Sequence, residues 1–177
     1  RLPFRPGVFG TVVSNSVLEH IPGVEAVLAE ISRVLKPGGR LVFTVPSEHF
    51  AEYLSVSRIL ERLGFRRLAA AYRCFFNRVS RHVTCQGPDW WAARLTAVGL
   101  EPVEYHYYFS PGATALLEWG HLYGLPALGF KKLVGRWVLV PWAWSLWPVA
   151  RVLRQYYLEP PAEAGAYFFM VATKPAS

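Results

Sequence analysis

Phe9-Gly10-Thr11-Val12-Val13-Ser14-Asn15-Ser16-Val17-Leu18-Glu19-His20-Ile21, followed closely by Arg33-Val34-Leu35-Lys36-Pro37-Gly38-Gly39-Arg40-Leu41-Val42, is the part of this 177-residue chain from which the rest can be read. Thr11 to Ser14 is a short apolar run with polar ends, the pattern of a buried parallel strand, and Ser14-Asn15-Ser16 ends it. From Val24 the apolar positions are Val24, Val27, Leu28, Ile31, Val34 and Leu35, a spacing that predicts one buried helix face with Glu30 and Arg33 pointing away. Pro37-Gly38-Gly39 should stop that helix, because proline cannot continue it and glycine accepts positive φ. Leu41 to Val45 then reads as a second buried strand, ended by Pro46. Strand, helix and strand in this order predict a right-handed crossover in a parallel sheet.

Further along, residues 47–86 read as a helical segment, with Val56, Ile59, Leu60 and Leu63 on one side of a helix. Gly64 should break it before a second helix through Ala69–Val79. Gly87-Pro88-Asp89 is a helix start, with proline at the first position and an acid in the first turn. Trp91, Leu95 and Val98 form its inner stripe, and Gly99 closes it. In the following strand Val103, Tyr105, Tyr107 and Phe109 alternate with Glu104, His106 and Tyr108. The last strand is Ala166 to Thr173, apolar on both faces. Between these two strands lies an aromatic insert, residues 111–161.

Hydrophobic residues make up 53% of the chain and charged ones 18%, which excludes a disordered polyelectrolyte. Cys74 and Cys85 are too few for a disulfide framework and read as ordinary thiols of a reducing cytoplasm. The net charge of +7 is uneven: from Arg58 to Arg81 seven arginines face a single acid, Glu61. Such a cluster attracts phosphate, whether on lipid, nucleic acid or substrate, or it is simply a solvated helix face. Trp137 to Ala150 carries no charge, but its fourteen residues fall short of the roughly twenty that span a bilayer, and two prolines interrupt them. Its tryptophans with flanking arginines suit a helical cap over a pocket, or contact with an anionic membrane surface.

The ordered set of strand, Leu18-Glu19-His20-Ile21, amphipathic helix, Arg33-Val34-Leu35-Lys36-Pro37-Gly38-Gly39 and strand resembles the second half of a class I S-adenosylmethionine-dependent methyltransferase of the type 11 kind. The resemblance is close over residues 2–46 and looser beyond. It implies an α/β fold, namely the last four strands of a Rossmann-like sheet, the final strand antiparallel, with a helical insert. It implies that residues 1–177 are the C-terminal part of one methyltransferase domain. The family's Gly-rich cofactor loop lies upstream of this stretch, so the N-terminal half of the same domain is an expected partner. Met170 is the sole methionine, which agrees with a chain opened after that half. The family has aspartate after the phenylalanine where this chain has Gly10, and its last two strands are joined by a short turn instead of an insert.

Carried over by position, Ser14, Asn15, Ser16 and Leu18 would line S-adenosylmethionine, and Leu2, Pro3 and Phe4 would flank its adenine. Glu19 would stand at the acceptor side, and His49 and Tyr53, just past the second strand, could also touch the acceptor. If the acceptor must lose a proton, His20 is the first candidate base and His82 the second. Each could equally be a packing histidine. Glu19-His20 is not a metal signature, since no further ligand has suitable spacing in the sequence. The function expected is methyl transfer to a small or lipid-like acceptor, in a cytoplasmic protein with a candidate membrane-facing surface. A non-catalytic membrane- or partner-binding module is the alternative. Nucleic acid is not expected as a partner, because no RNA-binding motif accompanies the arginines.

Overall fold

The computed structural model describes residues 1–123, 129, 131–133, 135 and 142–176. Strand β1 (Phe9–Asn15) leads through a 3-10 turn at Leu18–His20 into helix α1 (Val24–Val34), and β2 (Leu35–Pro46) follows. Next come three helices, α2 (Phe50–Tyr53), α3 (Ser55–Arg62) and α4 (Arg66–Ser80), then α5 (Pro88–Ala97) and β3 (Glu101–Tyr108). The insert supplies α6 (Pro111–Tyr123) and α7 (Ala143–Tyr157), and β4 (Tyr167–Thr173) ends the fold. The sheet order is β1-β2-β4-β3; β1 and β2 are parallel, and β4 is antiparallel to both its neighbours. The expected mixed sheet is therefore present, and β1 lies at an open edge.

The core forms where the predicted apolar faces meet. Val24, Leu28 and Ile31 of α1 and Trp91 and Leu95 of α5 are buried against Leu41, Phe43 and Val45 of β2 and Phe168 and Met170 of β4. Phe43 stands between Trp91 and Phe168, with ring centroids 5.2 and 6.4 Å away. Each such buried side chain contributes about 1.5–3 kcal/mol.

Three expectations need correction. Strand β2 begins at Leu35, not Leu41, because Leu35 pairs with Phe9 before the register shifts and Arg40 pairs with Thr11. Lys36 to Gly39 is thus a bulge as well as a helix stop. Gly38 sits at φ 73°, its N–H donates to the Lys174 carbonyl at 2.9 Å, and a Cβ on Gly39 would meet the Lys36 carbonyl at 2.8 Å. Second, the inner face of β3 is only partly covered: Tyr107 is buried, but Val103 and Tyr105 are exposed. β3 is the other edge strand, and a register shift between Pro102 and Glu104 makes Val103 the extra residue. Third, Glu30 and Arg33 do not simply point to solvent. They form a bidentate pair at 2.8 and 2.9 Å that clamps the N-terminal segment: Arg33 donates to the carbonyls of Leu2 and Phe4, and Leu2 N–H donates to Glu30. The Arg33 guanidinium holds the Glu30 carboxyl down at about 2.

Gly64, at φ 83°, separates α3 from α4, as the sequence suggested. Helix α7 runs through Pro148, and no helix among the described residues is long and apolar enough to cross a membrane. The stretch Trp137 to Pro141 lies outside the described residues. Trp142, Trp144 and Trp147 are exposed, so these tryptophans are not in a core. Helix α6 is fastened by Glu118, a buried carboxylate that accepts from the backbone N–H of Ser55 and Val56 at the start of α3, from Ser55 Oγ and from Tyr72 Oη on α4.

Chain entry to β4 is tight. A Cβ on Gly165 would fall 2.2 Å from the Tyr108 carbonyl oxygen, and the Gly165 carbonyl accepts from the buried Ser47 hydroxyl. Gly165→Ala is expected to cost about 2 kcal/mol or more, because backbone, not a flexible side chain, must move. Urea denaturation would show the loss as a lower midpoint; an unchanged midpoint would refute the close approach.

Candidate functional site

At the carboxyl end of β1 the chain turns sharply. Ser16 adopts φ 48°, left-handed backbone that a non-glycine residue seldom takes, and its N–H donates to the Thr44 carbonyl at 3.0 Å and Thr44 Oγ1 at 3.2 Å. Thr44 also donates to Asn15 Oδ1. Ser14, Asn15 and Ser16 therefore sit at one strand tip, partly exposed, with Leu18 buried just behind. This is where ligands enter open α/β sheets.

The short 3-10 turn carries Glu19 and His20 onward. Glu19 is 1% exposed, and its Oε2 is buried without a hydrogen-bond partner. Burial pushes its carboxyl above the ordinary range, against the opposing pull of a hydrogen bond from its own backbone and of His20. The segment after α4 closes over it: Val83 and Thr84 both donate backbone N–H to the Glu19 carbonyl, at 2.9 and 3.1 Å. That brings His82 alongside His20, ring centroids 5.5 Å apart. His82 Nδ1 is buried and has no partner; burial first, and His20 second, press the His82 pKa to about 4, so the ring is neutral at physiological pH. Cys85 is pushed up to about 12 by burial and by Glu19, which leaves it an unreactive thiol. Burial and the Glu19 charge also raise Tyr167.

Thus Glu19, His20 and His82 come together beside Ser14–Ser16. Phe50 touches His82 (4.8 Å between centroids) and Tyr167 (5.5 Å), and Tyr167 touches Phe109 (5.3 Å). Phe109 is part of the wall of an apolar cavity of about 980 Å³ between α6 and α7. His49 and Tyr53 stack on each other at 5.9 Å, and His49 faces Tyr107 and Glu48. Leu2, Pro3 and Phe4 are not brought to the strand tip: the Arg33 clamp holds them by the last turn of α1, near the start of β1, where Phe4 packs on Phe9 at 4.9 Å. Sequence reading missed Thr44, Phe50, Tyr167 and Glu118. Only Thr44 carried a signal, as the residue paired with Asn15 across two parallel strands.

Residues 1–43 match the sequence model of a family described as methyltransferase domain. A sarcosine/dimethylglycine N-methyltransferase of Halorhodospira halochloris is 45% identical over 47 residues, 27% of this chain and 17% of that protein. Among solved structures, the cyclase SpnF covers all of this chain at 17% identity and TM-score 0.54, and the chain spans 53% of it. A structure described as a putative sarcosine dimethylglycine methyltransferase from Galdieria sulphuraria gives 13% identity and TM-score 0.55, with 57% of its length spanned. Phosphoethanolamine N-methyltransferase 2 of Haemonchus contortus, solved with S-adenosyl-L-methionine, gives 17% and 0.50, with 34% spanned. The chain thus spans about half, or less, of these structures.

Sheet order and the likeness to these structures give the fold, a mixed sheet of the kind seen in solved methyltransferases. Within it, the first 43 residues are the part matched to the methyltransferase domain family. Since one likeness is to a cyclase, the fold alone does not fix the reaction.

Proposed function

We propose that the protein carrying this chain transfers a methyl group from S-adenosylmethionine to a small or lipid-like acceptor. The observation that carries the reading is the assembly of Glu19, His20 and His82 at the carboxyl tip of β1, from positions 61 residues apart in sequence between His20 and the loop at Arg81. Ser14, Asn15 and Ser16 would hold the cofactor there, offering partly exposed hydroxyl, amide and carbonyl groups fixed by Thr44. When bound, S-adenosylmethionine supplies an electrophilic methyl on a sulfonium. Orientation and exclusion of water then provide most of the rate. If the acceptor is a hydroxyl, its proton would be taken up at the Glu19, His20 and His82 cluster, where the His82 ring is neutral. The apolar cavity between α6 and α7, of whose wall Phe109 is part, supports an acceptor with a hydrocarbon portion.

In this reading residues 1–177 are the C-terminal part of one domain, 47–86 form its acceptor side and 111–161 a cap. The half bearing the Gly-rich loop would pair along the open edge of β1. Two assays test the proposal. Calorimetry on the 177 residues alone is expected to give S-adenosylmethionine affinity weaker than micromolar, and a micromolar value would remove any need for that half. The whole protein should move a tritiated methyl from S-adenosylmethionine into a lipid or small-molecule extract; label in neither fraction would end the proposal.

A second reading, docking on a membrane or partner, draws on a different surface. Leu68, Phe75 and Val79 of α4 are each more than half exposed on one helical stripe, with Arg67 and Arg78 beside it. Trp144 and Trp147 are exposed on α7, and Arg151 lies over the Trp147 ring at 5.5 Å. If these tryptophans meet lipid, their fluorescence is expected to shift blue with anionic vesicles and not with neutral ones. An unshifted spectrum favours the cap.

A further inference from the structure

We propose that Glu19, His20 and His82 form a binding site for a divalent transition-metal ion of the zinc type, with an open coordination position facing the methyl acceptor. The role toward the acceptor rests on the function proposed above; the binding of the ion does not.

The geometry argues in four parts. One ligand atom from each of the three residues lies within 4.8 Å of the other two. Zinc-type bonds near 2.1 Å place ligand atoms about 3.4 Å apart, so modest side-chain rotation closes the set. Second, His20 Nδ1 lies 2.9 Å from the Arg81 carbonyl, which can only accept, so Nδ1 carries the proton. Nε2 is then a lone pair, and it faces Glu19 Oε1 at 3.6 Å. Two acceptors turned toward each other call for a proton or a metal cation between them. A carbonyl that fixes the tautomer of a ligating histidine is the usual outer support of a metal site.

Third, the remaining polar atoms here are unsatisfied. Glu19 Oε2 and His82 Nδ1 are buried without partners, in a molecule where most buried polar groups are paired. Fourth, the two ligand-bearing segments are fastened together by backbone, through the bonds from Val83 and Thr84 to the Glu19 carbonyl. The site is held before any ion arrives. Two imidazoles and one carboxylate suit zinc, iron(II) or cobalt(II), whereas magnesium and calcium prefer oxygen donors. Three protein ligands leave a position free, as in catalytic sites. His20 is the exposed member, so that position would open on its side, toward solvent.

The test is titration of the chain with cobalt(II) and, separately, zinc(II), without S-adenosylmethionine or acceptor. Expected are one tight equivalent, a visible cobalt band of four- or five-coordinate type, and its displacement by zinc. Glu19→Gln and His82→Asn should each weaken cobalt binding at least about tenfold. His106→Asn, which alters an exposed histidine 3.9 Å from Glu104, should not. Zinc should also raise the melting temperature of the unaltered chain, a readout that needs no variant to fold. No saturable equivalent, no rise in melting temperature, or binding that survives Glu19→Gln would overturn the site. Metal binding without methyl transfer would instead remove the methyltransferase reading and leave the site standing.

Discussion

Replacing Glu118 by alanine is expected to destabilise the fold by about 3 kcal/mol and to release α6 from α3 and α4. The carboxylate is 2% exposed and accepts from Ser55 N–H, Ser55 Oγ, Val56 N–H and Tyr72 Oη. Two of these donors are N–H groups at the start of α3, where the helix itself offers no acceptor and its dipole favours a carboxylate. Alanine would strand several donors in a buried place, each costing on the order of 1–3 kcal/mol where water cannot reach it. Trp119 gives a local reporter, since its Nε1 donates to Ser55 Oγ at 2.9 Å. Glu118→Gln keeps one acceptor oxygen and should lose less. Urea unfolding measures both variants, and a Glu118→Ala midpoint equal to the parent's would show that the carboxylate is not the fastening.

His82→Ala should lower methyl transfer by about 10²–10⁴-fold while S-adenosylmethionine affinity changes little. The separation follows from position. Ser14 to Ser16 are organised by Thr44, across β1 and β2, and nothing in that pairing passes through His82. His82 instead sits against His20 and Phe50, over Glu19. A variant that loses cofactor binding and turnover in equal measure would mean that His82 supports the whole rim and has no role in chemistry.

Much of the sheet could be read from residues because its signals are local. Val24, Leu28 and Ile31 show their face through spacing alone, and Gly64 and Gly99 mark breaks by adopting φ 83° and 76°. The bulge at Lys36–Gly39 was half visible. Proline and glycine announce that regular structure stops, but the pairing of Leu35 with Phe9 depends on a partner strand. Edge effects were not legible either. Val103 and Tyr105 alternate like core residues, and their exposure follows from β3 lying outermost. In the site, Glu19 and His20 were legible as neighbours in the chain. The packing of His82 above them needs the backbone bonds from Val83 and Thr84, which no spacing rule anticipates. The Arg33 clamp is of the same kind, since a surface arginine on a helix ordinarily reads as solvated.

β4 comes last in the chain yet lies between β2 and β3. Those two strands share no ladder of their own, so neither half of the sheet can be joined until residues 167–173 have left the ribosome. The whole aromatic insert is synthesised first and must wait for the strand that completes the sheet. Long-range closure of this type slows folding and lengthens the time that sticky surface is displayed. A nascent chain stalled before Tyr167 should consequently depend on chaperones far more than one stalled just after Thr173.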